Sequence, residues 1–358
     1  MHATIAERRL QNQCLMREQR PDAAGVVEWL GAVQAQEFHP ATWALALRMP
    51  EGTVALEIGR AFDEGRILRT HVMRPTWHFV PPSNIRWMLE LTAPRVHRIV
   101  APYNRRLGLD AAVCTRAAAV VGRSLRDGRH LTRAEIRERL ARAGLEFSSL
   151  QLAHVMLYAE LEAIVCSGPR RDKQFTYALL AERAPRAARL SRDEALAELT
   201  RRYFRSHGPA TVRDFVWWSG LTTADAKRGL EVVAARRDVA GDLTYWSLGE
   251  APPRTARQRA TRLLPVYDEY LVAYRDREAV PHGPPTIASR TSGPVTFQHA
   301  LIVAGQVAGT WRTARTAHGQ SVNVIPLRRL TEPERRGIAE AVARYQRFLD
   351  APVTLSIG

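Results

Sequence analysis

The chain has 358 residues, 46% of them hydrophobic and 25% charged, with a formal net charge of +16. That length accommodates about two to four domains, and the apolar fraction excludes wholesale disorder. The excess of 52 Lys+Arg over 36 Asp+Glu favours a polyanionic partner, without saying which one.

No stretch approaches the ~18 uninterrupted apolar residues of a membrane span, and the first residues lack the apolar core of a signal peptide. A cytoplasmic location and no membrane partner are the expectation. Cys14, Cys114 and Cys166 lie far apart without redox or metal spacing, and the 11 histidines form no H-E-x-x-H cluster, so no metal or cofactor is expected. The basic residues are nearly all arginine; the only lysines are Lys173 and Lys227. Between Ala251 and Thr331 the only acids are Asp268, Glu269, Asp276 and Glu278, while Arg254, Arg257, Arg259, Arg262, Arg290, Arg312, Arg315, Arg328 and Arg329 surround them. A basic surface interrupted by one acidic island is the expected outcome.

In chain order the same grammar appears three times: helix, turn, helix, two-stranded hairpin. In the first copy, helices near 23–35 and 53–65 precede a hairpin over 69–80 whose turn is expected near Arg74 and Pro75. In the second, Thr132 and Glu135 form a capping box, a helix runs to Ala143, and Gly144 stops it. Ser148 or Ser149 caps the next helix, and Gln174–Ala178 alternates as a strand. In the third, Thr211 and Asp214 open a helix that ends at Ser219 and Gly220. A second helix runs roughly over 224–235, and a hairpin turns at Ala240, Gly241 and Asp242.

This grammar is that of tandem winged-helix units, a common DNA-binding scaffold. Glu57, Asp63 and Glu64 in the first recognition-type helix and Asp225 and Glu231 in the third argue against all three reading a groove, because carboxylates facing phosphates are unfavourable. After Leu263, short strands at 300–303, 306–312 and 321–327 read as a small antiparallel sheet or barrel. A helix over 333–349 and a last strand over 353–357 follow. The expected fold is α+β, with winged-helix units over 1–110, 111–190 and 191–262 and a C-terminal lobe over 263–358.

Three segments together resemble the AlkZ/YcaQ-type DNA glycosylases. They are Leu30–Phe38 with Thr42 and Trp43; Arg74–Val80; and Leu263–Arg277 with the later Gly305–Trp311. The resemblance spans nearly the whole chain. It implies a C-shaped protein of tandem winged helices with a C-terminal β-barrel lobe, holding double-stranded DNA with alkylated bases on its concave face. It also implies hydrolysis of the N-glycosidic bond of alkylated purines, with unhooking of interstrand crosslinks in some members. Gln34 and Gln36 match the Gln-x-Gln form of the family motif, which places the chain nearer the AlkZ-like members associated with self-resistance.

The chemistry suits those residues. A purine alkylated at N7 or N3 is already cationic and leaves without prior protonation, so catalysis needs a positioned water and stabilisation of an oxocarbenium-like sugar. Glutamine has no useful pKa, but its amide can orient that water and brace the sugar. On a regular helix Gln34 and Gln36 would point about 200° apart, so both facing one site requires a helix end, which His39 and Pro40 supply. Asp268 is the candidate carboxylate, against a plain salt bridge to Arg262, Arg275 or Arg277. His78, with Thr76 and Arg74 on the first hairpin, is a candidate DNA contact. Tyr267, Tyr270 and Tyr274 could stack on bases or belong to the core. Arg277, Arg254, Arg257 and Arg312 are candidate DNA contacts.

No lysine lies near the glutamines or the acidic island in sequence, so a Schiff-base lyase step lacks a nucleophile. The reading is therefore a monofunctional glycosylase acting as a monomer in the nucleoid. The alternatives are a non-catalytic winged-helix DNA-binding protein or transcriptional regulator, and a protein-interaction module whose charge serves solubility.

Overall fold

A computed structural model of the protein describes residues 2–16, 19–249, 260–277, 279–280, 298–317 and 319–358. The fold is α+β and divides into two compact units, each assembled from separate stretches of chain. The first comprises Met1–Gly59, Arg201–Trp218 and Val233–Gly358; the second comprises Arg60–Thr200 and Ser219–Val232.

The second unit contains the hairpin Leu68–Val72/Arg74–Val80, with Leu68 opposite Val80 and Thr70 opposite His78. Its turn is not at Arg74 and Pro75, which lie in the returning strand, but at Met73, whose φ of 63° is left-handed. Thr70 and His78 are fully buried on one face, while His71 and Trp77 pair on the other with ring centroids 4.3 Å apart. Next comes the helix Ile85–Arg106, which sequence reading misses because Pro94 and Pro102 lie inside it. The helix Ala111–Ser124, capped by Asp110, was also unanticipated.

The capping box of Thr132 and Glu135 forms at the helix Arg133–Arg142, and Ser148 with Gln151 builds another at Ser149–Leu161. These helices pack through Ile136, Leu140, Leu152, Val155 and Met156 against Cys114, Val121 and Val165. Strands Val165–Ser167 and Thr176–Leu179 form the hairpin, and Leu131–Thr132 adds a third strand beside Thr176–Leu179.

The third pair of helices is Val212–Ser219 and Thr223–Val233. Thr211 and Asp214 cap the first reciprocally through backbone N–H bonds of 2.9 and 3.1 Å; Thr222 and Asp225 do the same for the second. The hairpin Arg236–Ala240/Leu243–Ser247 turns at Gly241 and Asp242.

The first unit is organised by a five-stranded sheet in the order Val353–Ile357, Gly319–Pro326, Gln306–Thr316, His299–Val303, Thr261–Leu264. The pair Gly319–Pro326/Val353–Ile357 is parallel and the others are antiparallel. Among the described residues this sheet is open, with different strands at its two edges, so of the small sheet or barrel expected of the C-terminal lobe the sheet forms, with one parallel pair, and a closed barrel does not. The helix Glu332–Leu349 approaches Thr261 so closely at Gly337 that a Cβ there would lie 2.5 Å from the Thr261 hydroxyl.

The larger correction concerns the early helices. The helix Ala23–Leu30 is capped by Asp22 and stops at Gly31, whose φ of 84° takes the left-handed conformation that glycine adopts freely. Val33–Gln34 is then extended, and a new helix, Phe38–Ala46, begins with His39 and Pro40 in its first turn. Proline is tolerated there because the N–H it lacks has no helical partner. The second helix expected at 53–65 is Ala55–Asp63.

Gly220 has a φ of 70°, and a Cβ there would lie 2.1 Å from the Met73 carbonyl oxygen, within the second unit. Its own carbonyl accepts from Arg95 at 3.0 Å. Gly220→Ala is expected to cost at least about 2 kcal/mol in urea unfolding, from left-handed strain plus the clash; an unchanged midpoint would show that the Met73 turn yields freely.

Candidate active site

The two glutamines lie in the connector between two helices, not at a helix end. Gln34 is 5% exposed, Ala35 is buried and Gln36 is half-buried. In an extended segment alternate side chains share a face, so the helical geometry that would separate Gln34 from Gln36 does not apply at Gln34. The Gln34 backbone N–H donates to Glu269 Oε1 at 2.7 Å, and the Glu269 carboxylate is fully buried.

Glu269 sits one residue after Asp268, in the short helix Glu269–Val272, and Asp268 caps that helix by accepting from the Tyr270 N–H at 2.9 Å. Asp268 is 1% exposed. Both its oxygens accept from Arg48, NH1 to Oδ2 and NH2 to Oδ1, each at 2.8 Å. Burial disfavours the Arg48 charge, but Asp268 more than offsets that and holds the guanidinium pKa above its ordinary value. Asp268 is therefore corrected from candidate catalytic carboxylate to ion-pair partner, because its oxygens are already taken and solvent barely reaches it. The salt-bridge alternative holds in kind, with Arg48 in place of Arg262, Arg275 or Arg277.

From Arg48 the polar contacts continue through the core. Its NH2 donates to Gln13 Oε1 at 3.0 Å, Gln13 Nε2 donates to the Tyr274 hydroxyl at 2.9 Å, and that hydroxyl donates to the His207 carbonyl at 2.7 Å. The His207 imidazole stands 3.3 Å from Glu269 Oε2, and Trp218 Nε1 donates to the same oxygen at 3.0 Å. Burial lowers the His207 pKa against the pull of Glu269, so the ring is neutral at neutral pH. The network thus runs from Asp268 back to Gln34.

Tyr270 and Tyr274 are consequently not stacking platforms. Tyr270 is fully buried and donates to the Gly305 carbonyl at 2.8 Å; Tyr274 lies under the Arg9 guanidinium, 3.7 Å from its ring centroid. Burial pushes both phenols well above their ordinary pKa. Tyr267 differs: it is half-buried, with a left-handed φ of 62°, in the turn that leads into Asp268.

The tryptophans of the recurring segments hold the same frame. Trp43 Nε1 donates to the Leu263 carbonyl at 2.7 Å and Trp311 Nε1 to the Leu264 carbonyl at 2.8 Å. Trp43 also packs on Tyr345 and Phe348, with centroids 4.9 and 5.0 Å away.

In the second unit, His78 is fully buried and its Nδ1 lies 2.9 Å from the Thr76 carbonyl, so it is a core histidine of the hairpin rather than an exposed DNA contact. Thr76 and Arg74 are half-buried. Arg312 is exposed on the strand Gln306–Thr316, and Arg277 is half-buried with its Nε on the Leu271 carbonyl at 3.2 Å. Arg254 and Arg257 lie outside the described residues.

Two acids that argued against groove reading are engaged at their helix ends. Asp63 accepts from the Arg170 guanidinium at 2.8 Å, and Asp225 accepts from Arg192 at 2.7 Å. Among the described residues no group of three or more His, Cys, Asp or Glu could hold a metal, and no helix is long and apolar enough to cross a membrane. Sequence reading missed Glu269, His207 and Trp218; the one available signal was the acidic dipeptide at Asp268 in an otherwise basic stretch.

Residues 27–348 match the model of a family described as "DNA glycosylase AlkZ-like". A curated relative, the "Interstrand DNA cross-link repair glycosylase" of Streptomyces sahachiroi, is 27% identical over 323 residues, covering 85% of each chain. The solved structure of the Streptomyces sahachiroi DNA glycosylase AlkZ superposes with a TM-score of 0.81 at 23% identity, covering 99% of each chain.

Asp268→Asn would leave Arg48 charged and buried with its partner gone. It is expected to lower unfolding free energy by about 3–5 kcal/mol in urea titrations; a loss below about 1 kcal/mol would show the pair to be dispensable.

Proposed function

The chain belongs to the AlkZ-like DNA glycosylase family, and from that premise we propose that this enzyme hydrolyses the N-glycosidic bond of cationic N7- and N3-alkylated purines. The name of the Streptomyces relative assigns interstrand crosslink repair to that protein; we extend it to this one as unhooking of crosslinks made through the same purine positions. In this reading the winged-helix units over 1–110, 111–190 and 191–262 and the lobe over 263–358 hold the duplex.

The observation that carries the reading is the Gln34–Glu269 hydrogen bond, which holds the backbone of the glutamine connector two residues before the half-buried Gln36. As the C1′–N bond breaks, its electron pair neutralises the positive charge of the departing base. The sugar becomes oxocarbenium-like, and water adds at C1′. The protonated hydroxyl so formed is acidic and releases its proton to solvent, so no strong base is needed. The Gln34 and Gln36 amide oxygens accept hydrogen bonds from the water and orient it.

Asp268 takes no part in the proton transfers, because Arg48 holds both its oxygens. With Lys173 and Lys227 the only lysines, hydrolysis ends at the abasic site rather than in strand cleavage through a Schiff base.

A single-turnover assay of base release from an N7-methylguanine duplex tests this, with alkali added to reveal abasic sites. Gln34→Ala and Gln36→Ala are each expected to slow release by about 10²–10³-fold, as for other preorganised transition-state contacts. The parental rate is expected to be flat from about pH 7 to 8.5, since glutamine does not titrate and burial lowers the His207 pKa. Full activity in both variants, or a bell-shaped profile, would contradict the proposal.

A further inference from the structure

We propose that Glu269 is the positioning residue of the glutamine motif: its buried carboxylate sets where the Gln34 backbone lies, and hence where the Gln34 amide holds the water. The inference rests on the reading of Gln34 and Gln36 given above and adds to it a residue that never touches the substrate.

A fully buried carboxylate is costly unless donors surround it. At Glu269 two come from separate parts of the chain. The Gln34 N–H reaches Oε1 at 2.7 Å and Trp218 Nε1 reaches Oε2 at 3.0 Å, while the His207 ring stands 3.3 Å from Oε2. Hydrogen bonds to an ionised acceptor are shorter and stronger than neutral ones, and the Gln34 bond has that length.

The Trp218 donor cannot swing away. Trp218 is fully buried among Tyr203, Phe215 and His207, with ring centroids 5.0, 6.4 and 5.4 Å away. His207 Nδ1 lies 2.8 Å from the Ser206 hydroxyl, which itself donates to the Arg202 carbonyl. Trp218 therefore fixes the carboxylate, and the carboxylate fixes Gln34.

The flanking residues make the anchor consequential. Val33 and Ala35 are buried, so the connector has one seat, while Gly31 just before it is left-handed and leaves the chain free to turn. The sequence between Gly31 and the helix at Phe38 has no helical ladder of its own, and the Glu269 bond is one of the contacts that place it. A shift of about 1 Å in a group that orients a reactant can cost on the order of 100-fold in rate.

Glu269→Gln separates these roles because it keeps shape and removes one acceptor. With a single amide oxygen, the side chain can serve either Gln34 or Trp218, and its NH2 then faces the other N–H donor. The expected result is a 10- to 100-fold fall, on the order of a positioning loss, in kcat for N7-methylguanine release at nearly unchanged KM. The Gln34 amide proton, far downfield in the parental protein, should move upfield and exchange faster. Gln34→Ala in the Glu269→Gln background should be no slower than Gln34→Ala alone, because both changes remove the same water geometry.

Trp218→Phe is the second variant, used whether or not Glu269→Gln folds. It removes one donor to Oε2 and is expected to lower kcat by about 3- to 10-fold with the same KM pattern. Parental kcat in the folded variants, or an unmoved Gln34 amide resonance, would overturn the positioning role while a loss in Gln34→Ala keeps the glutamine reading standing. Full activity in Gln34→Ala would instead overturn that reading.

Discussion

Two adjacent buried carboxylates tie the first unit together. Asp268 holds Arg48, just past the helix Phe38–Ala46, and Glu269 holds the backbone of Gln34, just before it. The helix and its preceding connector are thus gripped at both ends from a single four-residue helix, across more than two hundred residues of sequence. Each carboxylate is buried, and removing either partner leaves an uncompensated charge or an unfilled backbone donor. Trp43 and Trp311 reinforce the grip by donating to the consecutive carbonyls of Leu263 and Leu264, the strand that leads into the pair.

This arrangement gives the acidic island a purpose that differs from catalysis. The stretch around it is rich in arginine, yet Asp268 and Glu269 are both buried in the core. In the mechanism we propose, the chemistry is left to neutral amides. An ionised carboxylate beside C1′ would stabilise an oxocarbenium-like sugar whatever base departs, whereas amides contribute less charge and rely on a base that brings its own. Selectivity for a cationic leaving base would then follow from the site's residue types as well as from its shape.

Much of the local structure was legible in the residues. The capping box at Thr132, the cap at Thr211 and the turn at Gly241 form as the sequence implies, and of Ser148 and Ser149 it is Ser148 that caps, because each depends on residues within a few positions. The helix boundary before the glutamines carried a readable signal too, Gly31 after Leu30, but the apolar pattern running on through Val33 masked it. The helix Ile85–Arg106 was hidden by prolines that its surroundings accommodate. What could not be read was long-range: that Asp268 would find Arg48, that His78 and Tyr274 would be buried, and that Glu269 would reach Gln34. Those pairings are set by how the sheet and helices pack, and single residue types do not encode them.

The proposed mechanism turns on the charge of the base before the bond breaks. Its most direct test is single-turnover release from two duplexes of identical sequence, one carrying N7-methylguanine and the other hypoxanthine, which is uncharged at neutral pH. Release of the cationic base is expected, with no measurable release of the neutral one above the uncatalysed rate. Comparable release of both would show that the site protonates or otherwise activates its leaving group, and the role assigned to the two amides would be wrong.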